Sequence, residues 1–214
     1  PVVDDISAIL DDRSVTAVLI LTPPATHLEV TRQAVAAGKH VLLEKPVEVT
    51  LARAEELVAL CRRAGVTLGI VLQHRFRPGS VRLAQRLADG ALGEIAAASV
   101  AIRWWRPQSY YDDPGRGTLA RDGGGVLMTQ AIHTLDLFQS LAGPIAEVTG
   151  FAGTTRLHRM ETEDFCGAAL RFANGALGTL DATTASYPGF PERIEIVGTK
   201  ATAVLSGRLE IHYQ

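Results

Sequence analysis

Gly38-Lys39-His40-Val41-Leu42-Leu43-Glu44-Lys45-Pro46, or GKHVLLEKP, decides how this chain folds. Three aliphatic residues follow a Gly-punctuated helical stretch. They read as a short strand buried on both faces, the pattern of a parallel sheet. Open α/β sheets place ligands at the carboxyl ends of their strands. At that end this chain sets Glu44, Lys45 and a proline that stiffens the turn. Lys45 is therefore the first candidate for chemistry. A solvated Glu–Lys pair on a loop accounts for the same three residues taken alone.

Outward from this strand, helix and strand signals alternate. Val15–Leu21 is a second buried-strand candidate, followed by Thr22-Pro23-Pro24. Thr26 and Glu29 form a T-x-x-E capping box, which predicts a helix running to about Ala37 and stopping at Gly38. After Pro46 the spacing predicts a helix over 50–64, ended by Gly65, and a β-rich run at 67–72. The order β-α-β-α-β with short connections predicts parallel strands and right-handed crossovers.

From Gln73 the pattern changes. An amphipathic helix is expected over 78–88, a strand over 94–105, a long loop over 106–125 and a helix over 126–141. Beyond it come only strands, at 146–153, 162–172, 176–186, 192–197, 201–205 and 209–213. Asn174-Gly175 is a hairpin turn signal, so these strands imply an antiparallel or mixed sheet with one open face. Two domains follow, α/β over 1–73 and α+β over 74–214.

The composition excludes several classes. With 47% apolar and 21% charged residues and a net charge of −2, the chain is an ordinary globular one. No basic surplus points to nucleic acid, and no apolar run approaches the roughly 20 residues a membrane span needs. The N-terminus lacks the order of a signal peptide. Cys61 and Cys166 lie in apolar contexts and read as reduced thiols, which suits the cytoplasm. The six histidines show no metal-ligand spacing, and there is no G-x-S-x-G elbow, Walker loop or G-x-G-x-x-G. The chain starts and stops inside patterned segments, which reads as part of a longer protein.

Four places could carry a site. On the helix at 126–141, a turn of 100° per residue puts Thr129, His133, Asp136 and Ser140 on one stripe of an otherwise apolar helix. A core histidine satisfied within the fold is the plain alternative. Gly123-Gly124-Gly125 before it lets backbone approach a ligand or a neighbouring strand. The turn Thr22–His27 leads into a helix N-terminus, whose N–H groups favour anions, and Gln73-His74-Arg75-Phe76 ends the next strand. The first also reads as an ordinary βα turn, but polar clusters at three consecutive strand ends are less easily dismissed than one. Trp104, Trp105, Arg106, Tyr110, Tyr111, Arg116 and Arg121 cluster around the long loop. They suit a sugar or an anionic substrate, and suit a subunit interface nearly as well.

TPPATH at 22–27, GKHVLLEKP at 38–46, QHRF at 73–76 and GGGVLMTQAIHTLDLF at 123–138 together resemble the Gfo/Idh/MocA oxidoreductases. That family is named for glucose–fructose oxidoreductase, inositol dehydrogenase and rhizopine catabolism. The resemblance covers essentially the whole chain. It implies a Rossmann domain, here without its first βαβ unit, and a second domain built on a large open sheet. It implies NAD or NADP as cofactor, and a hydroxyl carbon of a sugar, nucleotide sugar or polyol as the reacting centre. A homodimer or homotetramer formed through the second sheet is expected.

By the same resemblance Lys45 lies beside the reacting hydroxyl and His133 handles the proton. Thr129 stands where many members have Asp, and Asp136 where an orienting acid is found. Thr22, Pro23, Pro24, His27, Glu44, Lys45, Gln73 and Arg75 line the cofactor. Arg103, Trp105, Tyr111 and Arg116 join Lys45, Thr129 and His133 around the substrate. Thr129 cannot act as a carboxylate base. The acid that selects NAD over NADP belongs to the absent unit. Relatives of this fold also include NAD-dependent glycoside hydrolases and cofactor-sensing regulators without turnover. The pairing of Lys45 with His133 favours the dehydrogenase over the sensor.

Overall fold

A computed structural model describes residues 2–214. The chain divides into two compact units, one running through Val71 and including Thr118–Gly123, the other comprising Leu72–Gly117 and Gly124–Gln214.

The first unit holds α1 (Ser7–Leu10), β1 (Ala17–Ile20), α2 (His27–Ala36), β2 (His40–Leu43), α3 (Leu51–Ala64) and β3 (Leu68–Ile70). The three strands form one parallel sheet in the order β1-β2-β3, with Val18 opposite Val41 and Val41 opposite Leu68. Strand periodicity sends Ile20, Val41 and Leu43 to one face, where they pack with Leu28, Ala34 and Val35 of α2 and Leu57 and Cys61 of α3. Leu19 and Leu42 point the other way and are 53% and 45% exposed. This corrects the expectation of strands buried on both faces. Both helices lie over one face of the sheet, and a run of aliphatic residues does not reveal which of its members are covered. Gly38 and Gly65 end α2 and α3 with φ of +69° each, the left-handed conformation that glycine takes without a Cβ penalty.

The start of α2 also differs from the expected capping box. The Thr26 hydroxyl turns back to Thr22 Oγ1 and to the Pro23 carbonyl, each at 2.8 Å, because a 3-10 turn over Pro24–Thr26 precedes the helix. The cap comes from another segment. Glu48, buried in the turn after Lys45, accepts the Leu28 N–H at 3.1 Å, the Val49 N–H at 2.7 Å and the Arg53 guanidinium at 2.8 Å. Burial pushes its carboxyl up, but the bonds from Arg53, Val49 and Leu28 outweigh that and hold it below the usual glutamate range.

The second unit contains α4 (Pro78–Ala88), β4 (Ile95–Arg103), α5 (Gln108–Tyr111), α7 (Ile132–Ala142) and strands β5 (Ile145–Gly153), β6 (Phe165–Phe172), β7 (Leu177–Thr183), β8 (Arg193–Gly198), β9 (Ala201–Ser206) and β10 (Arg208–Tyr213). The expected loop over 106–125 is thus broken by α5 and by α6 (Leu119–Asp122), which belongs to the first unit. The seven strands run β10-β9-β8-β4-β7-β6-β5, with β4 and β7 parallel and the other neighbours antiparallel. Asn174-Gly175 turns β6 into β7, with Gly175 at φ +87°. Helices α4 and α7 cover one face, where Leu83, Leu137, Phe138 and Leu141 meet Val100, Ile102, Phe172 and Ile196. The other face is open and carries Phe151, which is 87% exposed, with Arg103, Asp181 and Glu195.

The segment entering α7 is a π-helical turn over Leu127–Ala131. Regular 100° spacing therefore holds from Ile132 onward, and Thr129 is displaced from the stripe of His133, Asp136 and Ser140. The glycines before it serve packing. A Cβ on Gly125 would sit 1.8 Å from the Glu163 carbonyl oxygen, and one on Gly123 would sit 2.7 Å from the Val49 backbone. Glu163 accepts the Gly125 and Leu127 N–H groups on its carboxylate and the Val126 N–H on its carbonyl, so a neighbouring segment fills the space.

Replacing Glu48 with Ala strips the Leu28 N–H and Arg53 of a buried acceptor and should lower the unfolding free energy by roughly 2–4 kcal/mol. Because the folded carboxyl lies below its unfolded range, its contribution is present above that range and lost as pH falls through it. Urea titrations of both proteins should show the wild type losing its advantage on acidification. Equal stabilities across that range would exclude the cap.

Candidate active site

In the first unit the parallel strands end at one edge, where β1 leads into Thr22-Pro23 and β2 into Glu44-Lys45. The Glu44 N–H donates to the Ile20 carbonyl at 3.0 Å, extending the ladder to the residue before the lysine. Thr22 and Pro23 are exposed, while Pro24, Glu44 and Lys45 are half-buried. The Glu44 carboxylate turns back to the Lys45 N–H at 3.0 Å. Burial pushes the Lys45 amine below its ordinary value, and the charges of Glu44 and Asp122 oppose that shift.

Two expectations for this edge change. The N-terminus of α2 presents no free N–H at Leu28, because Glu48 already occupies it. His27, expected to touch the cofactor, has no exposed surface, and both its ring nitrogens face main-chain carbonyls.

In the second unit, Gln73–Phe76 forms a 3-10 turn. Gln73 is exposed. Arg75, expected at the cofactor, grips Asp136 with a two-pronged fork, Nε to Oδ2 at 2.6 Å and Nη2 to Oδ1 at 2.5 Å. Asp136 therefore spends both oxygens on a guanidinium, a pairing between two residues that the sequence assigned to different tasks. The Thr129 hydroxyl donates to the Gly125 carbonyl at 2.8 Å. His133 is half-buried one turn before Asp136, and its ring lies 5.0 Å from that of His74, tilted by 30°.

His74 is the residue that sequence reasoning passed over. It is buried, with Nε2 against the Arg77 guanidinium and Nδ1 3.3 Å from Thr134 Oγ1 and 3.4 Å from Glu192. A guanidinium only donates, so Nε2 accepts and the ring hydrogen sits on Nδ1. Burial, reinforced by Arg77 and opposed by Asp136, pushes the His74 pKa down to about 4. The ring beside His133 is thus neutral near pH 7. QHRF did mark the segment, but Glu192 carried no local signal. Arg77, Thr134 and Glu192 also line a cavity of about 530 Å³ with Trp104, Pro191 and Leu205.

The aromatic and arginine cluster is real but centred on Tyr110. Arg106 lies 5.4 Å from its ring and 5.5 Å from that of Trp104, while Arg116 lies 4.3 Å above Tyr110 and donates to its hydroxyl at 2.8 Å. Trp105 packs edge-on against Tyr187 and beside a recess of about 410 Å³ with Pro188 and Phe190. Tyr111 instead enters the core, its hydroxyl 2.6 Å from Thr184 Oγ1. Arg103 pairs with Asp181 on the open face of the sheet, because strand alternation turns it away from buried Ile102. Both depart from the expected substrate set.

The pattern of an oxidoreductase family with an NAD-binding Rossmann fold matches residues 1–71, and the GFO/IDH/MocA C-terminal domain matches residues 80–204. The chain belongs to the GFO/IDH/MocA family. The D-apiose dehydrogenase of Paraburkholderia graminis is 31% identical over 216 residues, covering 97% of this chain and 56% of that protein. The myo-inositol 2-dehydrogenase of Thermotoga maritima is 27% identical over 198 residues, covering 90% and 57%. Among solved structures, the WlbA dehydrogenase from Bordetella pertussis in complex with NADH and UDP-GlcNAcA superposes with a TM-score of 0.89 at 33% identity, covering 98% of this chain and 65% of that one. The GFO/IDH/MocA chain thus spans little more than half the length of these curated relatives. Among the described residues, no helix is long and apolar enough to cross a membrane.

The lowered pKa of His74 sets a pH test. Its folded value of about 4 lies below the ordinary 6.5, so the unfolded chain binds the proton first. Stability should be full above pH 6.5 and fall between there and about 4. A His74→Gln variant should have a shallower slope in that window by thermal or urea unfolding. An unchanged slope would assign the acid loss to other groups.

Proposed function

We propose that this protein is an NAD(P)-dependent dehydrogenase acting on a hydroxyl carbon of a sugar, nucleotide sugar or polyol. The observation that carries the reading is Lys45. It is a half-buried amine at the carboxyl end of a parallel strand, with a pKa lowered by burial, in a chain of a dehydrogenase-rich family. Strand ends of this kind, with exposed Thr22 and Pro23 beside Glu44, fit one edge of a nicotinamide dinucleotide. Thr22, Pro23, Pro24, Glu44 and Lys45 would hold it. The bound nicotinamide would supply the redox step by exchanging a hydride with the carbinol carbon.

The chain's own residues supply position and charge. Glu44 and Asp122 favour the charged form of Lys45, which stabilises negative charge developing on the reacting oxygen. His133 takes the hydroxyl proton, a role suited to an imidazole, whose ring nitrogens can accept and return a proton. Arg75 holds Asp136 as a structural acid on the same helix, leaving the histidine as the proton carrier there. The arginine-flanked rings of Trp104 and Tyr110, with Trp105, offer stacking and cationic surface to a sugar or an anionic sugar derivative.

The division of labour gives the cofactor to the first unit and the substrate to the second. The open face of the seven-stranded sheet, with exposed Phe151 and Leu177, is the surface for a homodimer or homotetramer. Cys61 and Cys166 are buried, and burial pushes both thiols up, which keeps them unreactive and accords with the cytoplasm.

In the intact protein, Lys45→Ala should bind cofactor yet turn over orders of magnitude more slowly. Absorbance at 340 nm with NAD or NADP and a panel of sugars, inositols and nucleotide sugars is the measurement. Turnover near wild type in that variant would remove Lys45 from the chemistry.

A further inference from the structure

His27 opens α2 with no solvent-exposed surface, and its ring reaches across to the turn that follows Lys45. Nε2 lies 2.9 Å from the Thr22 carbonyl oxygen. On the opposite edge, Nδ1 lies 3.0 Å from the Pro46 carbonyl oxygen and 3.2 Å from that of Val47. Carbonyl oxygens only accept. A neutral imidazole has one N–H and would turn the lone pair of its other nitrogen toward a carbonyl. Whichever nitrogen carries the hydrogen, the ring bridges the exit of β1 and the turn after Lys45.

The carbonyls it reaches belong to the exit of β1 and to the two residues after the lysine. The next residue along α2 repeats the arrangement, since the Leu28 N–H donates to Glu48 in the same turn. The turn is therefore bound to the first residues of α2 by donation in one direction from the ring and acceptance by Glu48. These contacts leave His27 no surface for a ligand. What it controls is where the main chain on either side of the cofactor edge can go.

We propose that His27 is the positioning residue for Lys45, its ring held between the carbonyls of Thr22 and of Pro46–Val47, so that the lysine amine is kept in its half-buried place. The inference rests on Lys45 being the working amine, but its test reads the lysine directly and not the reaction. Without the donors, the carbonyls of Pro46 and Val47 would seek water, the turn would move outward, and the amine would be solvated.

The chain has only three lysines, Lys39, Lys45 and Lys200, so ¹³Cε-lysine labelling yields three signals to follow with pH. Lys200 is exposed and serves as the reference. Lys39 is buried and donates to the carbonyls of Asp12 and Val15. In the wild type the Lys45 signal should titrate at lower pH than that of Lys200. His27→Phe keeps an aromatic ring without donors, and should shift the Lys45 titration to that of Lys200. His27→Gln, which restores a donor, should recover part of the difference.

A folded Phe variant with its Lys45 titration unmoved overturns the proposal, even if its melting temperature drops, since that is how an ordinary core residue behaves. Should the Phe variant not fold, the Gln variant decides: a Lys45 titration between its wild-type position and that of Lys200 supports the clamp, and an unmoved one overturns it. Full turnover in Lys45→Ala alongside a displaced Lys45 titration would instead sink the dehydrogenase role of the lysine and leave the clamp standing.

Discussion

A strand or helix that ends inside a fold leaves main-chain donors and acceptors that must find partners. In this chain, buried and half-buried polar side chains supply them. Glu48 takes the N–H groups of Leu28 and Val49. Lys39 donates to the carbonyls of Asp12 and Val15, ahead of β1. Glu163 takes the N–H groups of Gly125 and Leu127 at the entry to the π turn. Asp164, wholly buried, accepts the N–H and hydroxyl of Thr155 and lies 2.6 Å from His158, whose other nitrogen faces the Arg106 carbonyl. An unpaired buried group of this kind costs about 1–3 kcal/mol, so each turn has one favoured path. The loops that carry the candidate chemistry inherit their geometry from these bonds.

The same constraint separates candidate working residues from supporting ones. Lys45 keeps a half-buried amine whose charge is balanced between desolvation and two carboxylates. His27, one helix away in sequence, is spent on carbonyls. In the second unit, Arg75 and Asp136 consume each other's charge, while His74 is held neutral against His133 by burial and Arg77. A polar residue in a motif is thus committed either to the backbone, as His27 is, or to another side chain, as Arg75 is. Hydrogen-bond accounting distinguishes the two more sharply than residue type does.

The second unit gains its shape from a single departure from hairpin logic. Six strand pairings hold the sheet, and only β4 with β7 is parallel. That pairing brings the end of β4, where Trp104 and Arg106 lie, beside the exit of β7 at Thr183-Thr184, and their main chains bond at 2.9 and 2.8 Å. The aromatic cluster follows from this register. One face of the sheet is sealed by α4 and α7, and the other keeps charged pairs such as Arg103–Asp181 among exposed apolar residues.

Local chemistry made much of this legible. Gly38 and Gly65 as helix stops, Asn174-Gly175 as a hairpin, the three parallel strands and the place of Lys45 at a strand end all follow from residue type and spacing, because each depends on backbone preferences a few residues long. The family followed from four short motifs in order. Tertiary structure alone decided the rest. The T-x-x-E box at Thr26 yielded to the carboxylate of Glu48, in the turn after Lys45, since a buried acceptor outcompetes a hydroxyl that can bond within its own turn. The π turn broke the 100° count at Thr129. Leu19 and Leu42 remained uncovered because helix placement is not written in a strand's own residues. His74 met Glu192, and Tyr111 turned inward to Thr184, through contacts between segments far apart in the chain. Sequence determines which groups exist and how the backbone bends near them; only packing determines which of those groups is left with a proton or a charge to use.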